Sequence, residues 1–356
     1  MVYIGTYTNG KSEGIYLYKL DANTGELTKV NVTQVKDNPS FLTLDPQKRY
    51  LYAVNEIGDY QGKKSGAVSA FAVDQKSGKL TLINQQPTLG GAPCYITIDK
   101  TGKHVLVSNY LGGNVVLFPI GVNGSLGASA DMHQHKGSSV NEKRQKEPHA
   151  HCIVLDPANK FAFSADLGTD KIMIYRFDAS TGKLTPNQPA SVSTKLGAGP
   201  RHVTFHPNGK YAFVINELNS TLTSYSYDAA KGSLTEVVTL STLPKGFSGE
   251  NYCADIHVSP DGKFIYGSNR GHDSIVVFGF DQSSGKLTYV ENVSTGGKWP
   301  RNFALDPSGK ILLVANQNTD NIVTFKVNSK TGKLTPTGKV TQVPAPVCLQ
   351  VVTPFA

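Results

Sequence analysis

Two short stretches carry the residue types that move protons and hold anions. One is Pro148-His149-Ala150-His151; the other, about fifty residues on, is Gly199-Pro200-Arg201-His202. Imidazole changes charge near neutral pH and so serves as a general acid or base. A guanidinium offers a fork of donors to a carboxylate, a phosphate or a developing oxyanion. His149 and His151 stand two residues apart, so on a strand both rings point the same way. Glu217 follows Arg201 by 16 residues and Arg270 follows Glu217 by 53.

These residues stand out because they interrupt a repeat. Gly-x-Leu occurs seven times, at Leu27, Leu80, Leu126, Leu184, Leu234, Leu287 and Leu334, spaced 46 to 58 residues apart. Most copies follow an Asp a few residues earlier, and the flanking segments alternate apolar and polar, the pattern of a β-hairpin closed by a Gly turn. A second motif interleaves: an apolar run ending in Asp-Pro or a variant of it, as at Leu44-Asp45-Pro46, Leu155-Asp156-Pro157 and Phe205-His206-Pro207. A period near 50 residues holding four short strands indicates a β-propeller. The chain is therefore read as all-β, a seven-bladed β-propeller of four-stranded blades forming a single domain over residues 1–356. Strands A to D run from the axis outward. A leads into the Asp-Pro turn, B follows it, C ends at the Asp, and D begins at Gly-x-Leu. There are six Asp-Pro turns for seven hairpins. The chain starts on a B strand at Val2 and ends on an A strand near Val347, so these two are expected to pair and close the ring, removing free edges.

The bulk properties narrow the function classes. The net charge is +8, but the lysines sit mostly in evenly spread Gly-Lys turns. That reads as a solvated rim that attracts small anions, not a nucleic-acid patch. No apolar run approaches the roughly 18 residues of a membrane span. The four cysteines lack metal-ligand spacing and fall at the starts of A strands, as small buried residues would. No metal or other cofactor is expected. The opening Val2-Tyr3-Ile4 reads as a strand, not a leader; a cytoplasmic protein is expected, or a periplasmic or secreted one if a leader has been removed. A monomer or weak dimer is expected.

In an antiparallel pair the start of A lies beside the end of B, so both face one mouth of the ring. Aligned on the turns, the A starts are Ser40, Cys94, His151, Arg201, Ala254 and Arg301; the B ends include Asn55-Glu56, Asn109-Tyr110, Asp166, Asn216-Glu217 and Asn269-Arg270. Asn recurs at the B ends and reads as a turn device. His202 replaces Phe41 or Tyr95 and reads as core filling; His206 replaces a turn Asp; His133 and His135 read as solvated. His149, His151, Arg201, Glu217 and Arg270 break the repeat together and read as functional. Asp166, Asp255 and Arg301 fit a structural or a ligand-facing role equally well.

Tyr3-Ile4-Gly5-Thr6-Tyr7-Thr8, Asn38-Pro39-Ser40-Phe41-Leu42, Leu51-Tyr52-Ala53-Val54-Asn55-Glu56, Pro148-His149-Ala150-His151, Gly199-Pro200-Arg201-His202, Asn216-Glu217-Leu218 and Ser268-Asn269-Arg270-Gly271 together resemble the lactonase family of seven-bladed propellers. That family includes bacterial 6-phosphogluconolactonases and is similar to fungal carboxy-cis,cis-muconate cyclases. The resemblance spans the whole chain and implies a metal-independent lactonase of carbohydrate metabolism, in the pentose phosphate pathway, acting on a small anionic sugar lactone. It implies His149 or His151, Arg201 and Glu217 as catalytic groups. Arg270, Arg301, Asp166, Asp255, Asn109, Tyr110 and Arg144 are the candidate substrate-binding residues. The chain departs from the family at Ala254-Asp255-Ile256, where Ala-Glu-Ile is expected; the shorter carboxylate draws back from the mouth. Water attack on a lactone needs a base (His149 or Glu217), an oxyanion partner (Arg201) and a phosphate clamp, expected at Arg270 with Lys143 and Arg144. A Gly-x-Ser-x-Gly elbow is absent, which argues against a serine hydrolase. The alternatives are a lactone-forming cyclase on the same site and a non-catalytic binding or surface propeller, whose mouth has no reason to gather His, Arg and Glu.

Overall fold

A computed structural model describing residues 1–353 contains seven four-stranded antiparallel sheets. The domain extent expected from sequence, 1–356, runs past the last of these. The innermost strands are Phe41–Leu44, Pro93–Ile98, Ala150–Leu155, Pro200–Phe205, Tyr252–Val258, Pro300–Leu305 and Pro346–Val351. The last pairs with Val2–Thr6, Ile4 opposite Leu349, so one blade is built from both chain ends. All four cysteines are free and buried.

Seven apolar clusters hold the blades face to face, one at each junction between neighbouring blades. Phe163, Ile172 and Ile174 of the fourth blade, for example, pack with Val203, Val214 and Tyr225 of the fifth. Burying such side chains contributes roughly 1.5–3 kcal/mol each before chain entropy is counted. The Gly-x-Leu turns fit this packing. Their glycines have φ between 64° and 80°, a region that favours glycine. At Gly124, Gly232 and Gly332 a Cβ would also strike the ring of Tyr50, Phe161 or Phe264 on the preceding blade.

The third blade differs from expectation. Gly124-Ser125-Leu126 forms only a tight turn, with a single bridge from Ile120 to Leu126, and the outer strand begins later, at Asp131–Gln134. Leu126 still buries its side chain between blades. His135, expected in solvent, is buried with Nδ1 2.6 Å from Asp166 Oδ2. A carboxyl group where other blades carry Asn calls for such a donor. His206 takes over the turn role of Asp: Nδ1 accepts from the Asn208 amide, and Nε2 lies 2.9 Å from the Gly262 carbonyl.

Candidate active site

Three repeated positions build the mouth. The first is the extra residue of a β-bulge near the start of strand A. The register shifts around Cys94, His151, Arg201, Arg301 and Val347, and across Ala254 and Asp255 in the sixth blade. A bulge leaves its residue unpaired and re-aims the side chain. The second position directly follows the Asn, Asp or Thr that ends strand B: Tyr7, Glu56, Tyr110, Leu167, Glu217, Arg270 and Gln317. The third is the elbow before strand A, whose carbonyl accepts the amide of the second position. The Glu217 amide bonds the Gly199 carbonyl at 2.7 Å, Tyr110 bonds Ala92 at 2.9 Å, and Leu167 bonds His149 at 3.0 Å. Asn38, Ala92, Gly199, Trp299 and Ala345 turn this elbow with positive φ before a proline; His149, followed by Ala150, does not.

Glu217 is the hub. Its Oε2 lies 3.1 Å from Arg201 Nε and 2.9 Å from Arg270 Nη2, and its Oε1 lies 2.8 Å from Arg144 Nη2. Burial works to raise its pKa, but Arg270, Arg201 and Arg144 outweigh it and hold it at about 2. The carboxylate is therefore ionised and a poor base. Arg144 comes from the loop before His149, whose turn is fastened by Asn141 and by Gln145 Nε2 to the Leu167 carbonyl. Arg144 also donates to Tyr110 Oη at 3.1 Å. Lys143, expected to assist it, stays exposed.

The histidines differ in role. His149 Nδ1 lies 3.0 Å from the Tyr110 carbonyl, which only accepts, so Nδ1 carries the proton and the Nε2 lone pair is open. His151 is held neutral: burial first, then Arg201, His202 and Arg301, place its pKa well below the ordinary imidazole value. Its Nδ1 lies 3.6 Å from Cys94 Sγ, and burial pushes that thiol far up, away from a reactive thiolate.

The guanidiniums are unequally committed. Arg201, 2 % exposed, spends Nε on Glu217 and Nη1 on the Ala254 carbonyl and His202. Arg270 spends Nε and Nη2 on the Tyr252 and Cys253 carbonyls and on Glu217, and lies over the Trp299 ring. Arg301 makes no hydrogen bond among the described residues; it sits over Tyr7 and 3.9 Å from Glu56.

Three predicted substrate contacts are used elsewhere. Asn109 Nδ2 donates to the Thr88 carbonyl and Asn114, the turn device expected of the recurrent Asn. Asp166 accepts the amides of His149, Gly168 and Thr169 as well as His135, because a carboxylate at that position has only acceptors to offer. Asp255 lies one layer below the mouth, bonded to His202, His257 and Asn302. Conversely, Glu56 belongs to the mouth, with Ser40 Oγ at 2.5 Å and Tyr7 Oη at 3.0 Å. The signal was present: Asn55-Glu56 occupies the same repeat position as Asn216-Glu217. Among the described residues no group of three His, Cys, Asp or Glu is placed to hold a metal ion.

With this geometry in place, comparison with known proteins is informative. Residues 1–351 match the family described as lactonase, 7-bladed beta-propeller. The chain belongs to the lactonase family. This lactonase-family chain is 39% identical over 301 residues to the 6-phosphogluconolactonase of Bacillus subtilis strain 168, covering 85% of this chain and 83% of that one. It is 36% identical to the 6-phosphogluconolactonase of Formosa agariphila, covering 85% of this chain and 86% of that one. Among solved structures it resembles the periplasmic gluconolactonase of Pseudomonas aeruginosa, with a TM-score of 0.93 and 34% identity over 99% of both chains.

Proposed function

We propose that the protein hydrolyses 6-phosphoglucono-δ-lactone to 6-phosphogluconate, a step of the pentose phosphate pathway, in the cytoplasm. The observation that carries this reading is the charge of the mouth. Four guanidiniums face two carboxylates there, and Arg301 is the least committed of the four. A surplus of two positive charges matches a phosphate monoester, which carries about −1.5 to −2 at neutral pH. Arg301 replaces Arg270 as the phosphate ligand in this reading, because Arg270 is already consumed by carbonyls and Glu217.

His149 is the base. Its Nε2 takes a proton from water as the water oxygen attacks the lactone carbonyl carbon. The carbonyl electrons move to oxygen, which Arg201 stabilises through Nη2, the guanidinium nitrogen with no protein partner among the described residues. Collapse expels the ring oxygen, which receives the proton from His149. The Tyr110 carbonyl stabilises the imidazolium through Nδ1–H. Glu217 holds Arg144, Arg201 and Arg270 in register. His151, neutral, is placed to bond sugar hydroxyls.

A second reading takes unphosphorylated gluconolactone as substrate, in the periplasm, and the Pseudomonas neighbour favours it. Hydrolysis of the two lactones, corrected for spontaneous opening, separates them. We expect kcat/KM for the phosphorylated lactone to be higher by about tenfold or more, the order of one charge-assisted contact. Equal or inverted values favour the second reading, and no turnover of either lactone sinks both.

A further inference from the structure

A chain of hydrogen bonds descends the axis beneath Arg201. Its Nη1 lies 3.1 Å from His202 Nε2. A guanidinium only donates, so Nε2 accepts, and the proton of the neutral imidazole sits on Nδ1. That nitrogen is 2.9 Å from Asp255 Oδ1. Asp255 Oδ2 then takes Asn302 Nδ2 at 2.6 Å and His257 Nε2 at 2.9 Å. The His257 side chain is 39 % exposed at the opposite mouth, beside an axial cavity of about 330 Å³.

Packing alone does not account for this chain. Phe41 and Tyr95 fill the position of His202 in other blades, and both touch its ring, with centroids 6.0 and 5.1 Å away. An apolar ring would complete the cluster, whereas a buried carboxylate costs several kcal/mol to desolvate. What Asp255 supplies is a fixed tautomer. Without it, Nε2 could carry the proton and turn an N–H toward the N–H of Arg201.

We infer that Asp255 and His202 are positioning residues: the carboxylate sets the imidazole tautomer, and the imidazole lone pair fixes the rotation of Arg201 so that Nη2 faces the lactone oxygen. This rests on the oxyanion role given to Arg201. The groups facing His202 are Arg201, Arg301, His151, Tyr95 and Asp255, with His257 beyond Asp255. Burial, then Arg201, lower its pKa to about 4 against the pull of Asp255. The acceptor is therefore present at neutral pH and is lost in acid.

The test compares His202→Phe, His202→Gln and the parent protein on 6-phosphogluconolactone. A misplacement of about 1 Å costs about a hundredfold. We expect folded His202→Phe to lose about 10- to 100-fold in kcat, with KM within about threefold. His202→Gln keeps an acceptor for Arg201 and a donor for Asp255, so it regains most of that rate. Parental kcat in His202→Phe, or a His202→Gln no faster than His202→Phe, overturns the inference. Should His202→Phe not fold, the tautomer of the parental ring decides alone. Nitrogen-15 spectra of the ring read the tautomer without turnover: Nδ1–H is expected in the parent and a mixture in Asp255→Ala. An Nε2–H parent overturns the inference, whereas an inactive parent with Nδ1–H strikes the lactonase reading instead.

Discussion

The imidazole of His149 lies flat on the ring of Tyr110, centroids 4.3 Å apart and planes 11° from parallel, while its Nδ1 bonds the carbonyl of that same tyrosine. Stacking and bonding to one residue fix both ring plane and tautomer, so Nε2 is presented in one direction. His149→Gln is expected to lower kcat by about 10²–10⁴, the usual contribution of a general base. KM should change little and melting should be unaltered. Parental kcat in this variant would remove His149 from the chemistry.

Gly168 lets the His149 segment approach. A Cβ there would stand 1.9 Å from the Glu147 carbonyl oxygen and 2.9 Å from the His149 amide. Both contacts are with main chain, so the segment must shift. Gly168→Ala should cost roughly 1–3 kcal/mol, as overpacking does, and at least tenfold in kcat. Calorimetry with steady-state kinetics checks both.

Glu217→Gln leaves Arg201 and Arg270 buried without their counter-charge. Breaking a buried ionic cluster costs about 3–5 kcal/mol. If Glu217 organises arginines and is not the base, kcat in folded Glu217→Gln should respond to pH as in the parent protein. Loss of the acid limb would return the base role to Glu217.

Arg301→Ala should raise KM for the phosphorylated lactone about tenfold or more and leave the unphosphorylated one within about twofold, since only the former carries the anion. Raising ionic strength should weaken the parental preference in the same direction. Equal effects on both lactones would assign Arg301 to the reacting centre.

Acid stability should fall in two stages. The folded pKa of His202 is about 4 against an ordinary 6.5, so the unfolded chain binds the extra proton; this contribution is complete above 6.5 and lost as pH falls through 4. His151 shares the direction. Glu217, at about 2 against 4.5, contributes fully above 4.5 and loses this as pH falls toward 2. His257 acts oppositely: burial lowers its pKa but Asp255 more than reverses this, so its contribution is lost as pH rises through the folded value. Melting temperature measured from pH 7 to pH 3 should decline in both stages, and His202→Gln should flatten the first.

Ring order, blade count and closure were legible because they rest on periodic signals: seven Gly-x-Leu turns, and a chain that opens on B and ends on A. Arg201, Glu217 and Arg270 were legible as departures from that period. Asn109 and Asp166 each carried two readings, because a polar residue at a strand end looks alike whether it faces the mouth or its own loop; only the groups around it decide. Asp255 was misplaced by one layer, since the sixth blade spreads its bulge over two residues. Glu56 was placed at the mouth but not among the candidate site residues, because only Ser40 and Tyr7, seen to bond it, separate it from a solvated carboxylate.

The amide-to-carbonyl bond between the B end and the elbow recurs from blade to blade and uses no side chain. Each blade therefore delivers side chains to the mouth from a backbone that does not depend on what those side chains are. Stability resides chiefly in the apolar junctions between blades and recognition in the mouth residues, and the two meet in the buried Glu217 cluster. A lineage of such rings is free to exchange one substrate for another by substitution at the exposed mouth positions, with melting temperature insulated from the change so long as the buried Glu217 cluster keeps its charge balance.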